Sequence, residues 1–219
     1  MKPMVFKSVS LADQVFDRLE NDIITGVYPR GTLLTELKLA ETLQVSRTPI
    51  REALRRLEQE RLIAESGKGS VVLGITRADL LDIMSIRERI EGLAAYYAAL
   101  NLTAEGEREL REINRQQDYY AKNCETEMLR KMDDLFHDTI YELCGRTVIR
   151  DTLLPLHRKT GRYRRISIDD NQRRDRSVAE HRMIFFAIAG RDPEGAAKLM
   201  TEHIRNAKNS MIERVPEDE

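Results

Sequence analysis

The chain has 219 residues, 41% of them hydrophobic and 33% charged, with a formal net charge of −1. This length and apolar content suffice for two packed domains, and the near-zero charge excludes a globally basic nucleic-acid binder, so any such contact must come from a local cluster. Two cysteines, Cys124 and Cys144, without CxxC spacing, exclude a disulfide scaffold or thiolate zinc site and fit a reducing, cytoplasmic compartment.

The opening MKPMVFKSVS lacks the apolar stretch of a signal peptide, and no run approaches the roughly 20 apolar residues of a membrane span, so no membrane association is expected. Leu11, Val15, Leu19, Ile23 and Ile24 recur at a helical period that Gly26 and Pro29 then break. Thr35 can cap a second short helix carrying Leu37, Leu39, Ala40 and Leu43, and Ser46 can cap a third whose inner face is Ile50, Ala53, Leu54 and Leu57. The tight turn from Gln44 to Ser46 between them matches a helix-turn-helix. Apolar runs at 62–65 and 71–73 flank the glycine-containing stretch Ser66 to Ser70, which predicts a hairpin, the wing of a winged helix.

Gly74 to Thr76 forms the expected linker, dividing the chain into a winged helix-turn-helix domain at 1–75 and an all-helical bundle domain at 76–219. The predicted fold class is therefore mainly α. Helical segments are expected near 77–100, 104–123, 126–144, 147–167, 173–189 and 193–214, with Asp192-Pro193 as a strong helix start. Pro216 to Glu219 is expected to be a frayed tail.

Arg47, Arg51 and Arg55 recur every four residues, which places three guanidinium groups on one side of the third helix, opposite its apolar face. Arginine's planar fork can bond a phosphate or the O6 and N7 acceptors of guanine. Ser46 and Thr48 add hydroxyls at the helix start, where free N–H groups favour phosphate. Lys68, between Gly67 and Gly69 at the wing tip, adds a further positive charge beside backbone that can approach a groove closely. The plain alternative is a solvated charged face. Arg56 fits that reading, since Glu52, Arg56 and Glu60 form an i,i+4 ladder, whereas the other three arginines have no such acidic neighbours on their own side of the helix.

The stretch from Leu39 to Leu57, LAETLQVSRTPIREALRRL, strongly resembles the DNA-binding signature of the GntR family of bacterial regulators, and the likeness runs from about Ser10 to Leu73. The resemblance implies DNA contacts at Ser46, Arg47, Thr48 and Arg51 and at the wing residues Lys68 and Gly69. Gln44 stands where a turn glycine is common, and Leu37 where some members carry a DNA-contacting arginine.

All four histidines, His137, His157, His181 and His203, lie in the second domain. His181 and His203 fall within apolar helical stripes, and His137 borders Phe136 and Ile140, so three imidazoles are expected to face the interior. A buried histidine is commonly a hydrogen-bonded core residue. Three together with a carboxylate suit a divalent ion such as zinc, nickel, manganese or iron. Helix geometry leaves Asp133 and Asp134 as equal candidates for that carboxylate, since both neighbour His137.

Residues 76–214 resemble the FCD effector-binding domain of the FadR-type GntR subfamily, and the resemblance implies Asp133, His137, His181 and His203 as metal ligands. His157 has no place in that pattern and is expected to line the cavity or face solvent. Arg87 interrupts the stripe Leu80, Ile83, Ile90 and Ala94 and needs a partner. It either pairs with Glu91 or, as the resemblance implies, receives an effector carboxylate. The basic run Arg158, Lys159, Arg162, Arg164 and Arg165 is expected mainly to be a solvated face, the lesser alternative being that one of them reaches the cavity.

The sequence thus points to a homodimeric, ligand-responsive regulator that binds a double-stranded DNA operator and a small carboxylate effector, and not to an enzyme. A purely structural metal is the alternative. A metal-dependent hydrolase is a further alternative, but no nucleophile–base pair is recognisable to support it.

Overall fold

The computed structural model describes residues 10–214, apart from the side chains of residues 165–168. The expected tail Pro216 to Glu219 and the side chain of Arg165 lie outside the described residues. Two compact units divide between Ile75 and Thr76. No helix among the described residues is long and apolar enough to cross a membrane.

In the first unit, α1 (Leu11–Ile24) begins at Ser10, whose hydroxyl accepts from the Asp13 N–H while the Asp13 carboxylate accepts from the Ser10 N–H. This reciprocal cap satisfies two helix-end donors. The buried face of α1, Val15, Phe16, Leu19 and Ile23, shares one core with Leu39 of α2 (Glu36–Leu43) and with Ile50, Ala53, Leu54 and Leu57 of α3 (Arg47–Gln59). Thr35 caps α2 through its side chain, as its position predicts. Ser46 occupies the cap position of α3 but makes no side-chain cap bond. Between the two helices Gln44 takes the left-handed conformation, φ 54° and ψ 41°, in which glycine carries no Cβ penalty.

The wing strands are β2 (Ile63–Ser66) and β3 (Gly69–Val72), joined through Gly67 and Lys68 with Ser66 opposite Gly69. The sequence reading missed β1 (Leu33–Leu34), which pairs antiparallel with β3 and gives the order β1-β3-β2. A two-residue strand is too short to show an alternating pattern. At φ 146°, Gly69 lies where a Cβ would come 2.5 Å from the Leu34 carbonyl oxygen, so glycine is required here for β1 to reach β3.

The second unit holds α4 (Arg77–Asn101), α5 (Ala104–Lys122), α6 (Thr126–Leu143), α7 (Thr147–Lys159), α8 (Gly161–Asp169), α9 (Asn171–Ala189) and α10 (Pro193–Ile212). The single helix expected over 147–167 is two, divided at Thr160. That hydroxyl donates to the His157 carbonyl and accepts from Arg87 of α4, so a tertiary contact lies where helical periodicity shows no break. The long α4 packs most extensively on α10. The close approach depends on Gly92, whose added Cβ would lie 2.9 Å from the Ala197 carbonyl oxygen. Gly92→Ala is expected to destabilise the second unit by about 1–3 kcal/mol through overpacking, read as a lower urea midpoint by circular dichroism. An unchanged midpoint would show that α4 and α10 can separate without cost.

Candidate DNA interface and metal centre

The apolar period of α3 buries Ile50, Ala53, Leu54 and Leu57 and leaves Ser46, Arg47, Thr48, Arg51 and Arg55 exposed. Lys68 is exposed on the wing turn, and Gly69 beside it is partly buried against Leu34. Leu37 on α2 is 61% exposed. The arginines do not all stand apart from acidic groups, however. Glu36, at the start of α2, accepts from Arg47 Nε (3.2 Å) and Nη2 (2.8 Å) and from Arg51 Nε (2.8 Å) and Nη2 (2.9 Å). These bonds, Arg51's first and then Arg47's, hold the Glu36 carboxyl down at about 2. Searching for acidic neighbours only along α3 could not find a partner supplied by the preceding helix.

Arg56 also reaches beyond its own helix, a contact that the ladder with Glu52 and Glu60 did not suggest. Its Nη1 donates to Asp13 at 2.6 Å and its guanidinium lies 4.0 Å from the centre of the Phe16 ring, so it fastens α3 to α1. Arg56→Ala is therefore expected to cost about 1 kcal/mol of stability. Operator affinity, measured by fluorescence anisotropy, should stay within about twofold because the contact faces away from the arginine face.

In the second unit His137 on α6, His181 on α9 and His203 on α10 are all buried, with ligand-capable atoms within 4.8 Å of one another. The Nε2 atoms of His181 and His203 are 3.2 Å apart. That is a spacing two imidazoles can adopt when both bind one ion at about 2.0–2.1 Å. The Nδ1 side of each ring is held from outside. His137 Nδ1 lies 2.9 Å from Glu91 Oε2, and His203 Nδ1 lies 2.7 Å from Glu180 Oε2. A carboxylate can only accept, so each of these Nδ1 atoms carries a proton and Nε2 is the atom left to offer a lone pair to a metal. His181 Nδ1 lies 3.2 Å from Gln117 Oε1 and 3.0 Å from Gln117 Nε2, and Phe136 stacks on its ring at 4.2 Å. Outer partners that fix ring and tautomer are the usual support of histidine metal ligands.

Burial, followed by the neighbouring histidines, drives the His181 pKa well below its ordinary value. Burial also lowers His203, against the raising effect of Glu180. Neutral imidazole is the form that binds a metal. Glu180 is penalised by burial, but bonds from His203 and Arg173 outweigh this and bring it to about 2. Asp133 is buried, and its Oδ1 lies 3.8 Å from His181 Nε2, outside the mutual cluster of the three histidines. Asp134 instead turns outward, half exposed, and pairs with Arg164 at 2.6 Å. The donor set of three imidazoles with an adjacent carboxylate fits a borderline divalent ion.

Arg87 is 1% exposed and its nitrogens are engaged: Nε with Glu91 Oε1 (2.6 Å), Nη1 with Thr160 (2.8 Å) and Nη2 with His157 Nδ1 (3.0 Å). Its pairing with Glu91 is thus present, and Arg87 also lines a cavity with Asp133, His137, Arg164, Arg173 and His203. Including the solvent at its mouth, the opening measures about 360 Å³. His157 is 2% exposed, which removes the solvent-facing alternative for it. Arg164, assigned from sequence to a solvated face, is 9% exposed, and its Nε is buried without an acceptor among the described residues. Arg173, not singled out from sequence, is 8% exposed and bonds Glu180 at 2.9 Å. Flanking polar residues hid both arginines from a periodicity reading.

A winged helix with an exposed arginine face is the build of a DNA-binding protein. Residues 11–72 match the description "Bacterial regulatory proteins, gntR family" and residues 82–206 match the FCD domain, so the chain belongs to the gntR family and carries an FCD domain. An HTH-type transcriptional regulator in an unstable DNA locus of Streptomyces ambofaciens is 31% identical over 204 residues, covering 92% of this chain and 84% of that one. The HTH-type transcriptional repressor RspR of Escherichia coli K12 is 28% identical, covering 90% of this chain and 87% of its own length. The solved structure of E. coli McbR/YncC has a TM-score of 0.81 at 23% identity, covers 94% of this chain and 99% of its own, and shows the same fold. The relatives are transcriptional regulators, not enzymes, and this chain is a DNA-binding transcriptional regulator.

Proposed function

We propose that the chain is a FadR-type regulator acting in the cytoplasm, whose operator affinity is set by a small carboxylate bound beside a divalent ion in the second unit. The supporting observation is the cavity itself. Three buried imidazoles, two fixed by carboxylates and one by an amide, converge next to Asp133, and two of them, His137 and His203, line the cavity together with Asp133, Arg87, Arg164 and Arg173. His137, His181 and His203 would hold the ion with Asp133 as the fourth ligand, and the ion would supply a positive charge with exchangeable positions for an acidic ligand. The arginines meet a carboxylate through charge-assisted hydrogen bonds, with Arg87 held in place by Glu91. Zinc, nickel, manganese and iron all suit this donor set. The ligand shifts operator affinity to the extent that it binds two arrangements of the protein unequally.

A thermal-shift screen of mono- and dicarboxylates, with and without each divalent metal, tests this reading. Metal and acid together should raise the melting temperature of the wild type, because both bind the folded state. His181→Ala should lose bound metal by elemental analysis and lose the joint shift. A wild type that takes up no added divalent ion would remove the metal, and an ion that binds but responds to no acid would leave it a structural role.

Homodimerisation follows from the same reading, since two recognition helices address two half-sites of an operator. On α4, Ile86, Leu93 and Leu100 are 42%, 44% and 50% exposed, and partly buried Ile90 and Tyr97 lie between them. Alternating steps of four and three residues from Ile86 to Leu100 make the heptad spacing of a helix–helix seam, which a second copy of α4 can match. Leu93→Glu is expected to convert a dimer to monomer in analytical ultracentrifugation. A dimer that persists would place the interface elsewhere.

A further inference from the structure

We infer that Glu36 is a positioning residue for DNA reading, clamping Arg47 and Arg51 by one edge of each guanidinium so that the other edge is aimed at base acceptors. The inference rests on the assignment of Arg47 and Arg51 to the DNA face. Each arginine gives Glu36 the same two nitrogens, Nε and Nη2. The edge formed by Nη1 and the second Nη2 hydrogen stays free on both, and this end-on fork is one that can address guanine O6 and N7. The side chains of Arg47 and Arg51 are 61% and 66% exposed, while Glu36 is 26% exposed, so the carboxylate sits behind the two forks and not in front of them.

Two consequences come from one carboxylate. The first concerns geometry: two long side chains that would otherwise sample many rotamers share an anchor, which lowers the ordering cost of a specific contact. The second concerns charge. Glu36 cancels one of two positive charges, and because non-specific affinity for the phosphate backbone rises with each charge delivered, the cancellation weakens binding to any duplex. Base-directed hydrogen bonds are retained. The clamp therefore raises the ratio of specific to non-specific binding, which decides occupancy among many competing sites. Exposed ion pairs are individually weak, so the anchor orients the arginines without locking them away from DNA.

The test uses the full-length protein and a duplex selected from a random pool by the wild type, with a scrambled duplex of equal length as control, in fluorescence anisotropy titrations across a salt series. Glu36→Gln keeps the shape and removes the charge. Affinity for scrambled DNA should rise roughly three- to tenfold near 0.1 M salt, and its log–log salt slope should steepen by about one. Preference for the selected duplex should fall by roughly tenfold or more. Glu36→Asp keeps the charge but shortens the reach, so preference should fall while the salt slope stays put. A parallel rise for both duplexes in Glu36→Gln would make Glu36 a simple competitor of DNA, and no change in either variant would make it a bystander; both outcomes overturn the inference. Arg51→Ala separates the two levels of argument: if it leaves all binding intact, the recognition-face assignment fails. If Arg51→Ala weakens binding while Glu36→Gln acts in parallel or not at all, only the clamp fails.

Discussion

A carboxylate shut away from water stays ionised only if donors surround it, and Glu91 is such a carboxylate, with no exposure. Burial opposes its charge, and Arg87 and His137 overcome that opposition, holding its pKa far below the carboxylate range. Satisfying this one group orders much of the second unit. Arg87 is drawn forward along α4 by Glu91, and its remaining nitrogens meet Thr160 and His157 at the junction of α7 and α8. His137 is drawn by Nδ1, which turns its other nitrogen toward His181 and His203. A buried pair of this kind adds little net stability compared with an apolar core, but losing one partner strands the other, so its effect is to permit a single arrangement.

Much of this was legible in the sequence, for a physical reason: helices that bury one face write their period into the chain. The three helices of the first unit, the wing and the long elements of the second unit follow from that pattern, and the family resemblance marked Gln44 as standing where a turn glycine is common. The inward histidines were visible by the same logic, as charged or polar interruptions of apolar stripes.

What stayed hidden lies between elements. Glu36 reaches Arg47 and Arg51 across the turn, Arg56 reaches back to α1, and Arg164 and Arg173 reach inward from segments whose polar composition suggests a solvent face. The division of 147–167 at Thr160 belongs to the same class. Long flexible side chains choose their partners by three-dimensional proximity, and a one-dimensional period records only which way a Cβ points. The small strand β1 was invisible because two residues carry no period at all.

The amide of Gln117 has a consequence for how the histidine cluster behaves through the life of the protein. Because it offers His181 Nδ1 both an oxygen and a nitrogen at hydrogen-bond distance, that nitrogen has a partner in either tautomer. With the proton on Nε2, His181 donates to His203 Nε2 and the imidazoles form a closed relay ending at Glu180. With the proton on Nδ1, Nε2 instead presents a lone pair to the cluster. The His181–His203 pair is therefore satisfied by protein groups alone, so if an ion binds there, its occupancy would follow its supply in the surrounding solution and would not be a condition of this pair's packing.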